Sequence, residues 1–294
     1  MEDKTLVILS GSPRGGPDTW NTLFKYVINP LNADLALCTT KDFVSNNILF
    51  KESKYQWIME NFNNFEEYYE QNYKGNWKNY FNKGKGTGLY ESGIIHFALK
   101  DFVYKNYLHE INKYDFIIHT RFDQFYTENH PKFTKNKLQI QLGENYGGIC
   151  DRHAAFDSKF AKKFFSIVEY INMENSINEL PQYPNCESVY LKHLEWTGLV
   201  SKVKRIRRFS FTSALKGENT NWRVPKYKIL LRKDLMIKYP DEFIDSYKNL
   251  LQQRGVFYFL RYCYPNNITF IYLQLRYFLR IRARRDMHLK DIKK

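Results

Sequence analysis

An arginine and an aspartate two residues apart, Arg121 and Asp123, follow directly on the apolar run Phe116-Ile117-Ile118. A carboxylate in such a place can hold a divalent cation through oxygen. A guanidinium can neutralise phosphate with its forked donors. A second charged group, Arg14, lies in Ser10-Gly11-Ser12-Pro13-Arg14-Gly15-Gly16-Pro17, just after the run Thr5 to Leu9. Glycines there let backbone amides approach a ligand closely, and a helix beginning just beyond favours an anion. A third cluster, Asp151-Arg152-His153, follows Gly147 and Gly148. Glu187 falls in the first turn of an expected helix, where the helix dipole alone favours it. The plain alternatives are a surface ion pair for Arg121 and Asp123 and a solvent-facing turn arginine for Arg14. Motifs this short do not decide between them.

What brings these groups together is a set of strands. Thr5 to Leu9 and Phe116 to Ile118 have adjacent rather than alternating apolar residues, which predicts buried, parallel strands. Ala33 to Cys38 gives a third. Strand, loop, helix from about Trp20 to Val27, and strand within forty residues form a βαβ unit with a right-handed crossover. In an open α/β sheet ligands bind beyond the carboxyl ends of the strands, so Arg14, Arg121 and Asp123 belong to one edge. Residues 55–72 have helical spacing, and the Gly-, Asn- and Lys-rich stretch after them predicts a mobile loop. A long helical pattern runs from Leu89 to Lys113, with His96 and His109 expected as packing or surface residues. Leu138 to Leu142 alternates, predicting a half-exposed strand. Residues 201–213 predict one edge strand with a basic face. From Asp241 the chain reads as helical.

The 294 residues carry 45 Lys and Arg against 31 Asp and Glu, a formal charge of +14. A positive field of that size favours anionic partners. Cys38, Cys150, Cys186 and Cys263 are widely spaced and form no Cys-x-x-Cys pair, which argues against zinc. Cys38 and Cys150 follow apolar runs and read as buried thiols, and a reducing compartment is expected. The N-terminal apolar run is shorter than a signal peptide requires, and no stretch has the length of a membrane span. A cytoplasmic protein is the expectation.

Several stretches, in order, resemble one group of nucleotide-sugar glycosyltransferases. LVILSGSPRG resembles their opening strand and Ser-Gly-x-x-Arg loop, and INPLNADLALCTT their second strand. YDFIIHTRFDQF resembles a central strand ending in Arg-x-Asp. YGGICDRHAAFDSKFAKKF and NCESVYLKHLEWTGL resemble the segments that follow. The resemblance covers about residues 5 to 200. It implies a GT-A fold, a mixed and largely parallel sheet flanked by helices, assigned to residues 1–238; the remaining residues, 239–294, read by themselves as a basic helical appendage. It implies transfer of a sugar from a nucleotide-sugar donor to a glycan or lipid-linked acceptor. Ser10, Gly11, Arg14, Arg121 and Asp123 would bind the donor. In that family an Asp-x-Asp motif holds Mn²⁺ or Mg²⁺. Here Arg121 replaces the first aspartate, so Asp123 alone is the implied metal ligand. Asp151 is the implied catalytic base, with Glu187 next in order. His153 and His193, with Tyr90 and Tyr126, would wall the acceptor site.

Two other readings compete. LVILSGSPRGGPDTW also resembles the phosphosulfate loop of sulfotransferases, although Gly15-Gly16-Pro17-Asp18 stands where that loop has Ser-Gly-Thr-Thr. A basic nucleic-acid-binding protein would also suit the charge, but no nucleic-acid-binding motif is present. The C-terminal stretch interleaves aromatics with Arg261, Arg276, Arg280, Arg282, Arg284 and Arg285. It suggests either peripheral contact with anionic lipid or aromatic packing beside solvated arginines.

Overall fold

A computed structural model of the chain describes residues 3–218, 229–230 (backbone only) and 235–275. Its centre is a seven-stranded sheet flanked by helices. The strands are β1 (Thr5–Ser10), β2 (Asp34–Thr40), β3 (Tyr55–Met59), β4 (Phe116–Thr120), β6 (Leu138–Gln141), β7 (His153–Asp157) and β8 (Val203–Ile206). They lie in the order β3-β2-β1-β4-β7-β6-β8. β1 is parallel to both β2 and β4, and β2 to β3. β7 is antiparallel to β4 and β6, and β8 returns parallel to β6. The protein is therefore α/β with a mixed, mostly parallel sheet. β1 and β4 are buried along their whole length, as their unbroken apolar runs require.

A smaller antiparallel sheet sits beside it: β5 (Gln124–Tyr126), β9 (Ser210–Leu215), β10 (Ile229–Leu230) and β11 (Leu235–Ile237), in the order β10-β11-β9-β5. A helix at Pro240–Tyr262 packs on it. Phe211, Leu235, Ile237, Phe243, Tyr247 and Leu250 share one buried cluster. The boundary expected after residue 238 falls inside that cluster, so the first half of this helix is part of the body of the molecule.

Four local expectations change. Residues 55–59 form a strand, because Tyr-Gln-Trp-Ile-Met alternates inward and outward at the sheet edge; helix begins only at Glu66. The expected loop contains a helix, Trp77–Lys83. Trp77, Tyr80 and Phe81 are buried at helical spacing, a signal masked by the surrounding glycines and asparagines. β6 is buried on both faces. Its glutamines are satisfied internally: Gln139 Nε2 donates to the Lys132 carbonyl, and Gln141 Nε2 donates to Ser210 Oγ. Alternation marked hydrogen-bonded interior here, not exposure. Finally, residues 201–213 split into β8 at the sheet edge and β9 in the small sheet. Arg208, at the break, is buried rather than on a basic face.

The four cysteines are buried free thiols. No helix among the described residues is long and apolar enough to cross a membrane. Arg276, Arg280, Arg282, Arg284 and Arg285 lie outside the described residues.

Candidate functional site

The register of the sheet builds the site. Leu9 pairs with Thr120 across β1 and β4, so Ser10 and Gly11 emerge beside Arg121. Thr120 pairs with His153 across β4 and β7, so Asp151 and Arg152, just before β7, emerge beside Arg121 from the other side. Gly11 takes φ 118°, a left-handed turn that carries the chain away from the sheet. A cleft of about 410 Å³ opens over these strand ends. Ser10, Gly11, Arg14, Arg121, Asp123, Asp151 and Glu187 all line it, together with Arg152, His96, Lys238 and Tyr239.

Glu187 arrives on the helix Cys186–Trp196. Its N-terminus is fixed by a capping box between Asn185 and Ser188. The helix start is locked to the Asp151 loop by Ile149 N–H donating to the Glu187 carbonyl at 3.1 Å. Gly148 permits that approach, since a Cβ there would lie 2.0 Å from the Glu187 carbonyl oxygen. The loop after β1 is held differently. Gly15 N–H donates to the Glu218 carboxylate at 3.1 and 3.2 Å, and Trp20 Nε1 donates to the Arg14 carbonyl. The anion expected at this helix start is thus the protein's own Glu218.

Arg121 and Asp123 form a bidentate fork, with Nε to Oδ1 at 3.0 Å and Nη2 to Oδ2 at 2.6 Å. Burial pushes the Asp123 carboxyl up, but Arg121 outweighs it and holds it below the usual carboxylate range. A second array lies deeper. Arg152 stands 3.3 Å from Glu187 and 3.3 Å from Glu242, and Arg208 stands 3.3 Å from Glu242. Glu242 is fully buried and also accepts from Thr212 N–H at 2.6 Å. Its Oε1 and Arg152 Nε face each other without hydrogen-bond alignment, so that contact is coulombic.

The two cleft carboxylates differ. Burial raises Asp151, but Arg152, His96, Arg121 and Lys100 together hold it below the ordinary range. Glu187 is pushed up to about 7 by burial and then by the negative Asp151, with Arg152 offsetting only part. Arg152 is shared with Glu242, which leaves Glu187 incompletely neutralised. Burial, then Arg121, brings Lys238 down to about 8, and the same two causes bring His96 down to about 4.

The expected Asp123 metal site was tested against this geometry. Both Asp123 oxygens already face Arg121, which places a fixed positive charge where a metal's own charge would fall. Among the described residues no three carboxylates, histidines or cysteines are grouped to hold a metal. A divalent ion at Asp123 would have to share this carboxylate with the Arg121 guanidinium.

The expected acceptor walls do not line the cleft. His153 is fully buried, with Nε2 3.2 Å from His130 Nε2 and Nδ1 3.3 Å from Tyr126 Oη. His193 lies on the same helix as Glu187 but is fully buried, 3.4 Å from Ser166 Oγ. Tyr126 is interior too, and Tyr90 donates to Glu66 away from the cleft. Sequence reasoning missed His96, Lys238, Tyr239 and Glu242. For His96 the signal was its place on the helix Ile94–Asn106, which packs against β1, β2 and β3. For the other three no local signal exists. No family model matches the chain, and no curated protein matches it either.

Proposed function

We propose that this cleft binds a nucleotide-sugar donor and transfers its sugar to a hydroxyl acceptor on a glycan or lipid-linked saccharide, as a GT-A-like glycosyltransferase. The observation that carries the reading is a polarised cleft at the β1 and β4 ends. Arg14, Arg121, Arg152 and Lys238 supply cations on it, and Glu187 has a pKa near 7. The chemistry needs both. A departing nucleoside diphosphate leaves with the electron pair of the broken sugar–phosphate bond, and cations fixed around the cleft stabilise that charge. The attacking hydroxyl gives up its proton as its oxygen bonds to the sugar. A carboxylate whose pKa lies near working pH is best matched to take that proton. Glu187 meets that condition better than Asp151, which is held ionised and weakly basic. In this reading Asp151 keeps Glu187's pKa high and orients polar groups of the sugar. Arg14, Arg121 and Lys238 take the diphosphate, and Ser10 and Gly11 border the nucleotide. No step runs through a metal.

The phosphosulfate reading loses ground at Gly15, whose amide is already given to Glu218. The test is a screen of nucleotide sugars for donor hydrolysis, with melting shifts for the matching diphosphates. Donor turnover that survives chelation, with stabilisation by one nucleoside diphosphate, is the expected result. Stabilisation by adenosine 3′,5′-bisphosphate alone would overturn it.

A further inference from the structure

The segment 256–275 breaks the rule that a surface helix turns its polar face to water. It contains two short helical stretches, the end of the helix at Pro240–Tyr262 after a kink at Gly255, and residues 266–275. Each has an apolar inner face. Phe259, Cys263, Phe270 and Leu273 are buried in the same cluster as Phe211 and Phe243. Each also has an apolar outer face. Phe257 and Leu260 stand at i and i+3, with Tyr264 exposed just beyond the helix end, and Ile268, Ile271 and Leu275 recur at i, i+3, i+7, with exposures from 48% to 74%. Arg261 is the only charged residue among these twenty. Large exposed apolar surface on an otherwise polar protein marks something that covers it.

We propose that this outer face docks on an anionic lipid surface. Charge selects that occupant. From residue 246 to 285 the sequence has eight Lys and Arg and no Asp or Glu. Lys248, Arg254 and Arg261 are exposed. Arg261 lies over the Phe257 and Tyr262 rings at 5.9 and 5.3 Å, so its charge sits beside the apolar stripe. Apolar side chains enter the acyl boundary while lysine and arginine meet lipid phosphate, and tyrosines rest at headgroup level. A second copy of the chain fits worse. A two-fold interface would press two acid-free basic faces together with nothing to pair the charges. The proposal holds whatever reaction the cleft performs.

The test is co-sedimentation of the full chain with phosphatidylcholine vesicles and with vesicles that also contain phosphatidylglycerol. Binding to the anionic vesicles alone or far more strongly is expected. Leu260→Glu with Ile271→Glu should cut that partition about tenfold or more, because each buried aliphatic side chain contributes at least about that factor. Arg254→Glu with Arg261→Glu should cut it by a comparable factor. All four positions are exposed, so circular dichroism and melting should match the parent. Equal recovery with both vesicle types, or undiminished binding by the folded Leu260 and Ile271 variant, overturns the proposal. So does a dimer, seen by light scattering without lipid, that Ile271→Glu converts to monomer.

Discussion

Two arginine–carboxylate systems border the same cleft, and they behave in opposite ways. Arg121 and Asp123 are two residues apart, meet as a closed fork, and lock each other in the charged state. Arg152, Arg208, Glu187 and Glu242 come from four separate segments and share their contacts at 3.3 Å. In the second system Glu187 shares Arg152 with Glu242, which also holds Arg208, and burial together with the negative Asp151 brings Glu187 near pKa 7. A buried pair with matched partners fixes charge. A buried array with divided partners leaves one member poised to titrate, which is what proton transfer requires.

The sharpest way to break this contrast is to remove the poised group. Glu187→Gln keeps the shape but cannot take a proton, and turnover should fall by about 10²–10⁴-fold with donor affinity little changed. Steady-state kinetics with calorimetry on the diphosphate checks this. If Asp151→Asn produces that pattern and Glu187→Gln does not, the two roles are reversed. Next in size is Glu242→Ala, which strands Arg208 in the interior and leaves Arg152 with Glu187 alone. It should cost about 3–5 kcal/mol of stability, read by denaturant unfolding, whereas a folded variant with parental stability would show the array to be loosely coupled. Arg121→Ala should weaken diphosphate binding by about 1.5–3 kcal/mol, and calorimetry measures it. Unchanged affinity would mean that the fork serves only the fold.

The remaining effects concern pH. Activity should rise through about pH 7 as Glu187 ionises and fall above about pH 8 as Lys238 loses its charge. A pH–rate profile flat from 6 to 9 would remove both from the reaction. Stability has a separate dependence. Burial lowers His130 to about 4 and His193 to about 3, and pushes His119 and His153 well below their ordinary value. In the unfolded chain these titrate near 6.5. The native state is therefore fully favoured above about pH 6.5. Stability should fall as pH drops below that value, by about 1.4 kcal/mol per pH unit for each histidine. Melting temperatures taken across pH 4 to 8 test it.

Legibility in the sequence followed the same division. β1 and β4 were readable because strands buried on both faces must be apolar at every position. Arg14, Arg121 and Asp123 were readable because they follow those strands directly. β3 was lost because its five residues abut a helical pattern, and the helix at Trp77 because polar neighbours hid three aromatics. His153 and His193 were named for their chemistry, and burial removed them from the cleft.

What the sequence by itself determined is the strand-and-loop core and the charges at its carboxyl edge. Those depend on residues within a few positions of each other, where periodicity and chain direction fix the outcome. Only the tertiary structure decided which carboxylate can titrate. That depends on Gly148 letting the Glu187 helix close on the Asp151 loop, where burial and the negative Asp151 raise Glu187 and Arg152 offsets only part of the rise. A pKa is set by burial and by every charge within a few ångströms, and folding brings those charges from segments far apart in the chain.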